Sequence, residues 1–216
     1  MSARLIDGAF ERDLALGDGT QVRLRLLRPS DKERLAEAIA KLSPESRYFR
    51  FLSATTKLSD EALNYLSTVD NENHLAIVAG KPADREREQE GWGLARFVRH
   101  APGAKTAEAA VTVLDDFQGR GLGRLLIAAL TLAARERGVE RFQAEILSTN
   151  APVLTLLRHI GATLHAQDDG GVVHIDLELP PLPQDGKLEH LPDGPGAQLI
   201  RFAAKELKLL STDAQS

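Results

Sequence analysis

The chain has 216 residues, a net charge of −4 and a pI near 5.9, with 43% hydrophobic and 27% charged residues. That balance describes one soluble globular domain with an appendage, and it excludes any global attraction to nucleic acid or anionic membrane. The sequence has no cysteine, which excludes disulfides, a cysteine nucleophile and cysteine-ligated zinc together.

In chain order, residues 1–19 are mixed in character, carry no apolar signal segment and end in Gly17-Asp18-Gly19, a turn signal. A cytoplasmic setting is expected. Thr20 to Leu27 alternates apolar and polar residues, as a half-buried strand does. Arg28-Pro29 stops it, and Ser30 with Glu33 is expected to form a capping box for a helix running to about Leu42. Ser43-Pro44-Glu45 starts a second helix dense in aromatics, with Tyr48, Phe49 and Phe51 close together. Ser59 caps a third, ending near Ser67. His74 to Ala79 and Gly93 to Val98 read as strands around a charged connection, Gly80 to Gly91.

Glu108 to Leu114 is a further strand, leading into Gln118-Gly119-Arg120-Gly121-Leu122-Gly123 and a helix to about Arg137. The apolar run within that helix, Leu125 to Ala134, is far shorter than the roughly 18 residues of a membrane span. Phe142 to Leu147 is a strand, and Thr149-Asn150-Ala151-Pro152 opens a helix stopped by Gly161. Thr163 to Gln167 and Val172 to Leu179 flank a hairpin turn, and counting outward from it sets His165 opposite His174. The six histidines show no metal-ligand spacing, so no metal is expected. A Pro/Gly-rich linker, Pro180 to Gly196, leads to an amphipathic helix with Ile200, Ala203, Leu207 and Leu210 on one stripe.

The glycine-rich junction is where the chemistry concentrates. Three glycines at alternate positions let backbone N–H groups approach a ligand, and a helix N-terminus favours phosphate. Each glycine costs about 0.5–1 kcal/mol of strand or helix stability against alanine, and a purely structural turn needs only one. A dinucleotide site is the main rival. Its G-x-G-x-x-G is one residue longer than the spacing of Gly119, Gly121 and Gly123, and it follows the first strand of its fold, not a run of strands.

Gln118 to Gly123 resembles the pyrophosphate loop of the GNAT superfamily of N-acetyltransferases, with the form Gln/Arg-x-x-Gly-x-Gly/Ala. The order of elements is similar to that family's over about residues 20–179. The resemblance implies an α/β (α+β) GNAT fold: a mixed central sheet of six to seven strands, flanked by helices, with the fourth and fifth strands splayed around acyl-CoA. It implies a GNAT domain over residues 18–180, with residues 181–216 as linker and C-terminal helix. The Ala107-Glu108 strand, the QGRGLG loop and the segment Leu42 to Phe51 are similar to the acetyltransferase domain of bacterial Pat-type protein lysine acetyltransferases.

That resemblance implies acetyl-CoA as co-substrate and a primary amine, extending to a protein lysine, as acceptor in a ternary complex. It makes Glu108 the general base, although a solvated glutamate at a strand end is the competing reading. The strand end at Val111, Val113 and Leu114 would bond the pantetheine, with the N–H at or beside Val113 facing the thioester oxygen as a catalytic donor. Gln118, Gly119, Arg120, Gly121, Leu122, Gly123 and Arg124 would hold the pyrophosphate, and Asn150 would touch the pantetheine arm. Asn150 is also a good helix cap without any ligand. Two positions depart from the family pattern: Asp115 stands where many relatives carry proline, and Leu157 where many place a tyrosine as general acid. Releasing a thiolate of pKa about 8.5 at pH 7 costs only about 2 kcal/mol, so the reaction can proceed without that acid. A non-catalytic acyl-CoA-binding module acting through a partner is the alternative. The tail helix can pack on its own domain, support a homodimer or bind that partner.

Overall fold

The computed structural model describes residues 4–51, 58–82, 90–166 and 171–209. Eight strands form one sheet in the order β1-β2-β3-β4-β5-β6-β8-β7. They are β1 (Glu11–Ala15), β2 (Gln21–Leu26), β3 (His74–Gly80), β4 (Gly91–Arg99), β5 (Thr106–Val113), β6 (Arg141–Leu147), β7 (Thr163–Ala166) and β8 (Val172–Glu178). All neighbours are antiparallel except β5 and β6. The helices are α1 (Lys32–Lys41), α2 (Pro44–Phe51), α3 (Asp60–Ser67), α4 (Leu122–Glu136), α5 (Ala151–His159) and α6 (Pro195–Glu206). Among the described residues no helix is long and apolar enough to cross a membrane.

The sheet is larger than the six to seven strands expected, and β1 is part of the difference. Its sequence, ERDLA, buries Leu14 and presents charge elsewhere. That is an edge strand, and charged edges discourage pairing with other chains. Asp13 stands opposite Arg23 on β2, and its carboxylate takes two guanidinium hydrogen bonds of 2.6 Å each. Further back, the amides of Leu5 and Ile6 donate to the Glu136 carboxylate at the end of α4 (2.6 and 3.1 Å), fastening the N-terminal segment to the core.

The expected Ser30–Glu33 capping box does not form. A short 3-10 turn, Pro29–Asp31, precedes α1, and the Asp31 carboxylate accepts the Arg28 N–H at 2.8 Å. Asp31 is drawn inward because it also pairs with buried Arg25, which leaves Ser30 exposed. The caps at Ser59 and Asn150 are as the sequence predicts. So is the pairing of His165 with His174; Asp176 lies 3.5 Å from the first ring and Glu145 3.5 Å from the second. Residues 83–89 of the charged connection and 167–170 of the hairpin turn lie outside the described residues.

α4 is the central buried element, with Leu122 and every residue from Leu125 to Ala134 inside. It lies against β3, β4 and β5 on one face of the sheet, close enough that a Cβ on Gly93 would meet Leu126 Cδ1 at 2.8 Å. α6 packs on α4 from the same chain, burying Ala197, Leu199, Ile200, Ala203, Ala204 and Leu207. Of the stripe read from the sequence, Leu210 is outside the described residues. On the opposite face α1 meets β4 and α2 meets β5, with α3 beside α1.

His74 carries an acid sensitivity built into that face. Burial, with the nearby Arg96 charge adding to it, pulls the imidazole down to about 4, against opposition from Asp70. Its ring lies 5.3 Å from that of Tyr65, tilted by 34°. The unfolded chain takes up this proton below about pH 6.5 while the folded chain does not, so stability falls with pH through that window. Between pH 7.5 and 5 the expected loss is about 2 kcal/mol, at 1.36 per pH unit. Urea unfolding at both pH values should show it in the native chain and a much smaller loss in His74→Phe. Equal losses in the two proteins would assign the effect elsewhere.

Candidate active site

The sheet opens at one place. β5 pairs with β4 along its whole length, from Arg99↔Ala107 to Gly93↔Val113. With β6 it pairs only at Thr106, Ala107 and Glu108. Beyond Glu108 the two parallel strands diverge. The Leu114 N–H donates to Trp92 O at 2.8 Å, so by antiparallel alternation the N–H groups of Thr112 and Ala110 also point toward β4. Those of Val111 and Val113 then face the gap. The splayed pair expected as the fourth and fifth strands is thus β5 and β6, displaced by one in the count because β1 precedes them.

The C-terminal ends of two parallel strands lie at the same end of a sheet, so the segments that follow them meet there. After β5 comes the glycine loop. Gly119 and Gly121 have φ of 71° and 86°, a left-handed conformation that residues with a Cβ rarely adopt. Among the described residues none accepts a hydrogen bond from the amides of Gly119, Arg120 or Gly121. The first turn of α4 adds further N–H groups without intrahelical acceptors. Gly123 is different: its φ is not left-handed, and a Cβ there would make an ordinary 3.7 Å contact with Val113 Cγ2. Leu122 sends its side chain into the core, leaving only its backbone toward the gap.

The two loop arginines are exposed and held from the side. Arg120 lies 5.4 Å over the Phe117 ring, itself stacked on Trp92 at 4.2 Å, with Asp18 3.5 Å from its guanidinium. Arg124 lies 4.4 Å over Phe202 of α6, which ties the tail helix to the loop. Gln118 reaches back along the strand, donating from Nε2 to Val113 O (3.1 Å) and to Ser46 Oγ (3.2 Å).

That second bond belongs to a latch invisible in the sequence. The Asp115 carboxylate accepts from the Ser43 amide (3.0 Å), Ser43 Oγ (2.7 Å) and Ser46 Oγ (2.8 Å). Burial opposes its ionisation, but these hydrogen bonds prevail and hold the carboxyl below its ordinary range. Asp115, an apparent departure from a family pattern, joins the start of α2 to the loop. Two serines and an aspartate 69 and 72 positions apart carry no local signal.

On β5, Ala107, Ala109, Val111 and Val113 face α4, whereas Glu108, Ala110 and Thr112 face α1, α2 and α3. Glu108 is exposed and stands where β5 and β6 part. Its carboxylate interacts through space with the guanidiniums of Arg50 and Arg96. Arg96 projects from β4 on the same face, opposite Ala110. Neither arginine was singled out by sequence, because nothing local marks a guanidinium that will be buried. Beside them the sheet and the helices enclose a cavity of about 80 Å³, lined by residues including Leu27, Leu35, Trp92, Leu94 and Thr112.

Asn150 follows β6 and caps α5, its side-chain oxygen accepting from the Val153 N–H at 3.4 Å. Leu157 is buried in the core of the same helix. Tyr48 and Tyr65 are both largely exposed, on α2 and α3. Val111, Val113 and the residues from Gln118 to Arg124 therefore gather along one side of the gap, and Asn150 follows the strand on its other side. Leu114 has its N–H committed to β4.

The sequence matches the family described as Acetyltransferase (GNAT) domain over residues 21–163. It is 36% identical over 159 residues to the acetyltransferase Pat of Mycolicibacterium smegmatis, covering 74% of this chain but only 46% of that protein. An acetyltransferase of Pseudomonas aeruginosa is 33% identical over 147 residues, 68% of this chain and 77% of its own. The crystal structure of the GNAT domain of S. lividans PAT superimposes with a TM-score of 0.70 at 30% identity, over 78% of this chain and 97% of that one.

Proposed function

Because the chain belongs to the GNAT acetyltransferase family, we propose that it moves acetyl from acetyl-CoA to a primary amine, in the manner of the protein lysine acetyltransferases it resembles. The observation that carries this reading is the forked β5–β6 gap, which leads from Glu108 along outward N–H groups to a left-handed glycine loop. An extended pantetheine arm adds to the β5 edge through Val111 and Val113, as a further strand would. The amides from Gly119 to Gly123 take the pyrophosphate at the N-terminus of α4, with the charges of Arg120 and Arg124 beside it. The Gln118 N–H donates instead to Asp115 O at 3.2 Å, which leaves that residue to shape the loop. Leu114 shapes the strand end, and Asn150 contacts the arm from the β6 side while capping α5. Residues 18–180 carry the chemistry, and α6, in the segment that follows, braces it from behind α4.

Distance along the strand assigns the remaining roles. At about 3.3 Å per residue, Val113 lies roughly 16 Å from Glu108 and Val111 roughly 10 Å. Glu108 draws a proton from the acceptor amine, directly or through water, so the carbonyl under attack must lie near it. Val111 is therefore the better placed oxyanion donor, with Val113 holding the arm farther along. The amine attacks the thioester carbon directly, the tetrahedral oxygen is held by the strand N–H, and the thiolate leaves without a tyrosine to protonate it.

The test is thermal unfolding with acetyl-CoA, CoA, NADH or ATP in large excess. A ligand present at about one hundred times its dissociation constant adds roughly 2.7 kcal/mol, a shift of a few degrees for a chain of this size. Shifts with the two CoA compounds alone are expected. A shift with NADH alone would mean that the loop serves a dinucleotide.

A further inference from the structure

Among the described residues, four guanidiniums and one carboxylate make up the charged lining of the cavity under α1, α2 and α3: Arg25, Arg34, Arg50, Arg96 and Asp31. Asp31 is already shared. It accepts from Arg25 (2.6 and 2.8 Å), from Arg34 (3.0 Å) and from the Arg28 N–H (2.8 Å). Among the described residues Arg96 has no such partner. It is 4% exposed, its Nη2 donates to Leu66 O at 2.5 Å, and its Nε and Nη1 bond to no described residue. Burial pulls its pKa down to about 10, and the charge of Arg50 pulls in the same direction. A guanidinium does not deprotonate at neutral pH, and a buried charge without a counter-ion costs several kcal/mol. Glu108, the one described carboxylate whose charge acts on Arg96, stands at the exposed rim and acts on it only through space.

We infer that Arg96, with Arg50 beside it, is the receptor for a carboxylate carried by the acceptor, so that the substrate is an amine with a carboxylate held a fixed distance away. This rests on the acetyl-transfer reading above and adds the class of acceptor to it. The placement suits the chemistry. Arg96 stands opposite Ala110, between Glu108 and Thr112 on one face of β5. Diagonal neighbours on a sheet face are about 7–8 Å apart, comparable to the span from the amine of a lysine side chain to a carboxylate at its backbone or on an adjoining residue. The cavity, at about 80 Å³, exceeds several times the roughly 10–15 Å³ that one water occupies, so a carboxylate group fits. The planar fork of arginine matches that group, and hydrogen bonds between charged partners are the stronger kind.

Two sources could present the carboxylate: the acceptor's own backbone terminus, as in free lysine, or an acidic side chain beside a lysine in a peptide. The experiment compares free lysine with lysine amide and cadaverine, and acetyl-Glu-Lys-amide with acetyl-Gln-Lys-amide, measuring CoA thiol release for each. The chain has no cysteine to add a thiol background. The native enzyme should prefer the carboxylate member of at least one set by about ten- to a hundredfold in kcat/KM, the usual worth of a charged hydrogen bond. The set that shows the preference identifies the source. In Arg96→Gln that preference should collapse toward one, and Arg96→Lys should restore part of it. Equal use of charged and neutral acceptors by the native enzyme overturns the inference, as does an Arg96→Gln variant that slows both alike. Should Arg96→Gln fail to fold, Arg96→Lys and the native preference decide. If none of the five amines is acetylated, a rise in the thermal midpoint of the native enzyme with glutarate, absent in Arg96→Lys or Arg96→Gln, supports the site, and no rise overturns it. Failure of the acetyl-transfer reading would show separately, as no midpoint shift with acetyl-CoA.

Discussion

Gly121→Val is expected to fold and to lose acetyl-CoA binding by more than a hundredfold, read as the disappearance of the thermal shift and by titration calorimetry. Gly121 has φ of 86°, a conformation that a β-branched residue avoids. No described atom lies within 4 Å of a Cβ built there, so the Cβ itself meets no neighbour. The loop instead turns to relieve the backbone, and its N–H groups no longer converge. Each charged hydrogen bond to a phosphate is worth about 1.5–3 kcal/mol, so losing two gives the stated factor. Gly123→Ala is the control. Its backbone is not left-handed and its Cβ makes only an ordinary contact, so it should cost far less. A folded Gly121→Val with native affinity would remove the pyrophosphate assignment.

Glu108→Gln should lower turnover by about a hundred- to ten-thousandfold, the usual contribution of a positioned general base, while the acetyl-CoA thermal shift persists. The size follows from the acceptor. An amine of pKa about 10.4 spends roughly 4.6 kcal/mol at pH 7 to expose its lone pair, whereas an α-amine near pKa 8 spends about 1.4. The variant should therefore fall further on a lysine-like amine than on an α-amine. Its residual rate should rise about tenfold per pH unit toward pH 10, because only the free amine reacts without a base. Unchanged turnover would show that Glu108 is not the base.

The sequence by itself determined what depends on neighbours along the chain. The strand-loop-helix at residues 111–123 was legible because its glycines are a local backbone requirement, and Gly119 and Gly121 adopt the left-handed conformation that explains two of them. The caps at Ser59 and Asn150, the long buried α4 and the His165–His174 register were legible for the same reason, since helix ends, periodicity and hairpin counting are short-range. Strand β1 was not, because an edge strand buries too little to leave an alternating pattern. The capping box failed because Asp31 gains more from Arg25, six residues back, than Ser30 could from its own turn. Only the tertiary structure decided the rest: that β5 and β6 part after Glu108, that Asp115 fastens α2 to the loop, that α6 packs on α4 and lends Phe202 to Arg124, and that Arg96 is buried with two donor atoms bonded to no described residue. Each of these joins residues far apart in the chain. Their energies arise from burial and charge in a shared interior, which no local stretch of sequence encodes.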